Sequence, residues 1–108
     1  MAYPKVDTVH FVGSTYGLEF APTATVESPD DGDECHAFVN LSDCQMVIGT
    51  GTEHRARLSL LHEILHVLDT ELPGGRDLTE NEIRRLSSCL LHFFDANPAL
   101  ARWLAEGK

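Results

Sequence analysis

Two histidines four residues apart, with a glutamate directly after the first, are the residues of this chain best suited by type and spacing to do chemistry: His62-Glu63-Ile64-Leu65-His66. On a helix an i,i+4 separation stacks both imidazoles on one face, close enough to share a metal ion. Glu63 projects about 100° around the helix from His62. Its carboxylate can therefore stand beside a metal-activated water without occupying a ligand's direction. Zinc in such a place supplies an electrophile and lowers the water pKa, while the carboxylate accepts the proton as the water attacks a carbonyl.

An open zinc site needs a third protein ligand. Glu80 and Glu82 both fall in the first turn of a downstream helix, where the backbone dipoles favour ionised carboxylates. Glu82 is the fourth member of Thr79-x-x-Glu82 and is engaged as a capping partner, whereas Glu80 has no competing local duty. Glu80 is the preferred third ligand, with Glu82 and Asp69 as alternatives. Asp69 lies seven residues after His62 and returns to nearly the same side of its helix. It could ligate directly, accept the second ring proton of His66, or pair with Arg76 at the helix end.

These side chains need elements to hold them. Val6 to Val12 and Tyr16 to Phe20 alternate with period two around Gly13-Ser14, which predicts a hairpin. Residues 21–34 carry Pro22, Pro29, Gly32 and the acids Asp30, Asp31, Asp33 and Glu34, and read as a mobile acidic surface loop. Ala37 to Leu41 and Gln45 to Ile48 are further strands, the second expected as an exposed edge beside the metal. After Gly49-Thr50-Gly51-Thr52 the period becomes 3.6. A helix is predicted over 52–71, opened by a Thr50-x-x-Glu53 capping box or by Thr52, with Leu58, Leu61, Leu65 and Leu68 as its packing surface. Pro73-Gly74-Gly75 ends it. A second helix runs from Thr79 to Asp95 with Ile83, Leu86, Leu90 and Phe94 buried, and Pro98 opens a short third whose Leu100, Trp103 and Leu104 fold back on the core. The expectation is one α+β domain over 1–108, a small, mostly antiparallel sheet packed on a long active-site helix and a second C-terminal helix.

Composition narrows the partners. The chain has 108 residues, 17 acidic against 8 basic, for a net charge of -9. Such a charge repels phosphate backbones and anionic lipid, so no nucleic acid and no membrane are expected as partners. No apolar run is long enough to cross a bilayer, and the opening MAYPKVDTVHFVG lacks a secretory pattern, which reads as a cytoplasmic protein. Cys35, Cys44 and Cys89 cannot all pair, and their spacing does not fit a zinc knuckle; they read as free thiols.

Leu60-Leu61-His62-Glu63-Ile64-Leu65-His66-Val67-Leu68-Asp69, followed by Leu78-Thr79-Glu80-Asn81-Glu82-Ile83 and by Asp95-Ala96-Asn97-Pro98, resembles the zincin metallopeptidases. The likeness is closer to the minimal zinc-protease-like proteins of phages and prophages, distantly akin to ImmA/IrrE-type domains. The resemblance implies a zincin-like fold, one Zn2+ per chain held by His62, His66 and Glu80, Glu63 as catalytic base, and a peptide or protein substrate. Leu72 stands where metzincins carry their third histidine, so neither their substrate preference nor that of thermolysin-like enzymes carries over. The alternative reading is a noncatalytic interaction domain that retains a structural zinc site. For the oxyanion, Tyr16, His36, His54, Arg84 and Arg85 are all candidates that no spacing separates.

Overall fold

Alternating apolar residues build the sheet, and their register decides its order. In the computed structural model, which describes residues 3–75 and 78–107, β1 (Thr8–His10) and β2 (Thr15–Ala21) form the predicted hairpin. The chain continues through β3 (Val26–Glu27), β4 (Glu34–Cys35), β5 (Ala37–Asn40) and β6 (Gln45–Gly49). The main sheet has the order β1-β2-β6-β5. Its outer pairings are antiparallel, but β2 and β6 run parallel, so the sheet is mixed.

Gln45–Ile48 is therefore a central strand and not the exposed edge expected from the sequence. Leu18 pairs with Met46 and Phe20 with Ile48, which aligns two apolar rows on one face, and Met46 and Ile48 are fully buried there. Joining those rows removes more apolar surface from water than leaving β6 at a margin. The terminal strands are β1 and, beyond β6, β5. A parallel pair cannot be closed by a hairpin, and the crossover from β2 to β6 supplies β3, β4 and β5 on the way.

The segment expected as an acidic loop holds a separate two-stranded ribbon of β3 and β4. Its turn is closed by the Ser28 N–H donating to the Asp33 carbonyl at 2.8 Å and the Gly32 N–H to Ser28 at 2.9 Å. Gly32 has φ +75, a conformation natural to glycine. The ribbon's base is fixed to the sheet at Gly49, where the carbonyl oxygens of Ala24 and His36 occupy the space a Cβ would need.

Helix α1 (Glu53–Glu71) begins at Thr52, whose hydroxyl accepts the Arg55 N–H at 3.1 Å. Of the two predicted openings, the Thr50-x-x-Glu53 box does not form: the Thr50 hydroxyl donates to the Ala21 carbonyl and ties the helix start to β2. α1 packs on β5, β6 and the next helix. Its buried residues include Ala56, Ser59, Glu63 and Val67, a stripe rotated from the predicted leucine face, of which Leu65 is buried but Leu68 is exposed. Small side chains at Ala56 and Ser59 suit the close passage of the sheet. The core joins Tyr16, Leu18, Met46, Ile48, Ala56 and Val67.

Helix α2 (Glu80–Ala96) opens with the predicted capping box: Thr79 accepts the Glu82 N–H at 3.1 Å and Glu82 accepts the Thr79 N–H at 2.9 Å. It buries Ile83, Ser87 and Leu91, so the expected Leu86 faces outward while Leu90 and Phe94 are half-buried. Helix α3 (Pro98–Glu106) buries none of its residues. Leu100, Trp103 and Leu104 are 47%, 56% and 60% exposed, against the expectation that they close the core. The physical reason is position: α1 already covers the sheet, and α3 leaves the end of α2 with α2 as its main neighbour. No described helix is long and apolar enough to cross a membrane, and Cys35, Cys44 and Cys89 are free thiols.

Candidate metal centre

The i,i+4 spacing on α1 places the imidazoles of His62 and His66 with their Nε2 atoms 3.1 Å apart. Glu80, in the first turn of α2, reaches both: Oε1 lies 2.7 Å from His62 Nε2 and Oε2 lies 2.8 Å from His66 Nε2. Ligand atoms of the three residues all lie within 4.8 Å of one another, the single such cluster among the described residues. Glu82 is occupied by the cap.

Asp69 has a different role from direct ligation. Its buried carboxylate accepts the Leu78 backbone N–H through both oxygens at 3.3 Å, which holds the chain two residues before Glu80. The possible Asp69–Arg76 pair lies outside the described residues.

Two imidazoles and one carboxylate brought together form a donor set suited to a divalent transition metal. Burial, opposed by the nearby Glu80, holds His62 below the usual imidazole range, which favours the neutral, lone-pair-bearing form. Tetrahedral zinc, with bonds of about 2.0–2.2 Å, keeps its ligand atoms roughly 3.3 Å apart. The observed separations are slightly tighter, and Glu80 has the freedom to adjust because its side chain is 55% exposed. The residues fit a metal.

Glu63 belongs to the sheet-facing stripe of α1 and is only 7% exposed. Among the described residues no hydrogen bond or ion pair engages its carboxylate, whose oxygens are not sealed from the cavity. Burial first, then the charge of Glu80, push it up to about 7. A cavity of about 620 Å³ joins Glu63 to His62, His66 and Glu80. One wall is β5 with the acidic ribbon, and the other is helical, including Arg55, Ser59 and Arg84.

The remaining candidates separate cleanly. His36 and Arg84 line the cavity, whereas Tyr16 is in the core and neither His54 nor Arg85 lines it. Cys35 also faces the cavity, but its thiol points to the Val26 carbonyl at 3.6 Å and burial pushes its pKa up, so it stays protonated outside the donor cluster. The strand over Ala37 to Leu41 was expected and is β5, but neither its place as the cavity wall nor the ribbon was, because hydrophobic periodicity does not report strand order. No family model, curated protein or solved structure gives a significant match to this chain.

Proposed function

We propose that this chain is a zinc-dependent peptidase or peptidase-like hydrolase in which His62, His66 and Glu80 hold the metal and Glu63 is the base. The observation that carries the reading is Glu63: a buried carboxylate without a described partner, opening on the same cavity as a three-donor cluster. Burying most of a carboxylate that no described hydrogen bond engages disfavours its charged form, and such tuning is characteristic of a group kept for chemistry. A bound zinc supplies Lewis acidity, polarising a substrate carbonyl and acidifying water.

Glu63 takes a proton from water as the water oxygen bonds to the carbonyl carbon, then delivers it to the amide nitrogen as the C–N bond breaks. Of the oxyanion candidates read from the sequence, His36 and Arg84 line the cavity and can donate toward the developing oxyanion. The terminal strand β5 lines the cavity with Ala37, Phe38 and Val39, and its outer backbone groups can pair with an extended peptide. β5 thus takes the place first expected for Gln45–Ile48.

The exposed Leu100, Trp103 and Leu104 favour the second reading, an interaction domain with a structural zinc. Turnover separates the two. Zinc-loaded wild type and Glu63→Gln should be compared on unfolded peptides by mass spectrometry, at equal zinc content. Hydrolysis should fall by at least about 10²-fold in the variant; equal rates remove Glu63 as the base.

A further inference from the structure

We propose that the β3–β4 ribbon is the specificity wall of the cleft and receives lysine or arginine side chains of an extended peptide, an inference that rests on the peptide-site reading above. The ribbon and its turn hold Glu27, Asp30, Asp31, Asp33 and Glu34, and residues 21–35 include no lysine, arginine or histidine. Asp31, Asp33 and Glu34 line the same cavity as Glu63 and the His62–His66–Glu80 cluster. Among the described residues no ion pair neutralises any of these ribbon acids.

Two relationships favour a cationic ligand at this charge. Glu27 and Glu34 are direct cross-strand partners, and like charges in that position repel. A cation brought to the ribbon relieves the repulsion. Independently, Glu63 is only 7% exposed, no described hydrogen bond or ion pair engages it, and its carboxylate opens on the cavity that the ribbon walls. Both the deep group and the rim are therefore built around something that enters from outside.

The spread of the carboxylates selects the kind of cation. No three of the described ribbon ligand atoms gather within the 4.8 Å that defines the His62–His66–Glu80 cluster, so the acids form a broad negative strip and not a chelating cage. A flexible ammonium or guanidinium head on a long stem matches such a strip. Direction follows from the opposite wall, where Arg55 and Arg84 repel a second cation. β4 leads through His36 into β5, so a peptide paired along β5 meets the ribbon at the Ala37 end and places its basic residue there.

The test uses the zinc-loaded full chain carrying Glu63→Gln, with labelled peptides differing only by Lys, Ala or Glu scanned through each position. Fluorescence anisotropy should show one register at which Lys binds about 10-fold more tightly than Ala, with Glu weaker still, and the gap should shrink with salt. The exposed double substitution Asp31→Lys with Asp33→Lys should invert the order, its fold checked by circular dichroism. Binding or wild-type cleavage without charge preference overturns the wall and leaves the peptidase reading standing. Charge-selective binding without any wild-type cleavage keeps the wall and removes the enzyme. Absence of binding by every peptide overturns both, and calcium bound stoichiometrically at the ribbon without displacing peptide identifies an ion site and overturns the wall.

Discussion

The carboxylate of Asp69 at the end of α1 holds the backbone N–H of Leu78 through both oxygens at 3.3 Å. Leu78 precedes Thr79, the cap of α2, and Glu80, the carboxylate that meets both imidazoles. The helix that carries both imidazoles thereby also places the carboxylate that meets them.

Removing that hold should loosen the centre without deleting a donor. Asp69→Ala is expected to weaken zinc binding by about 10-fold or more, read by chelator competition, whereas His62→Ala should prevent stoichiometric retention. Asp69→Ala with unchanged zinc affinity would show that the first turn of α2 is placed by other contacts.

The capping box gives a pH dependence. Hydrogen bonds from the Thr79 backbone and side chain hold the Glu82 carboxyl below its usual range. A depressed carboxyl pKa stabilises the fold above the unfolded value and loses that contribution as pH falls through the folded one. The melting temperature of wild type should therefore exceed that of Glu82→Ala at neutral pH, with the difference shrinking as the solution is acidified below the usual carboxylate range. Thr79→Ala should cost about 1 kcal/mol at neutral pH. A Glu82→Ala difference that grows in acid would contradict the box.

The position of α3 can be read from the chain's one tryptophan. Trp103 is 56% exposed, so dilute protein should emit at the wavelength of solvated indole and be quenched readily by acrylamide. Trp103→Ala should leave the melting temperature nearly unchanged. Blue-shifted, protected emission would mean that this helix is covered in solution.

The sequence revealed the parts that depend on local chemistry and concealed those that depend on which elements meet. Thr52, Thr79 and Pro98 announced the helix starts because caps are satisfied within a few residues. The convergence of His62 and His66 followed from helix pitch, and Glu80 was separable from Glu82 because only the latter had a capping duty. Alternation could not say that β6 would lie between β2 and β5, since a strand's pattern does not name its neighbours. Ser59 and Glu63 sit on the buried face of α1, where a hydrophobicity pattern does not count them. The apolar residues of α3 misled in the opposite sense, because an apolar stripe reports a capacity for burial and not what is available to cover it.

The central claim is a metal held by His62, His66 and Glu80 in front of Glu63. An anomalous difference map at the zinc absorption edge, from crystals of the zinc-loaded protein, tests it directly. One peak per chain, within bonding distance of both Nε2 atoms and a Glu80 oxygen and facing the Glu63 cavity, is the predicted result. A peak ligated by Asp69 or Glu82 in place of Glu80, or no peak at this cluster in a zinc-saturated crystal, would contradict it.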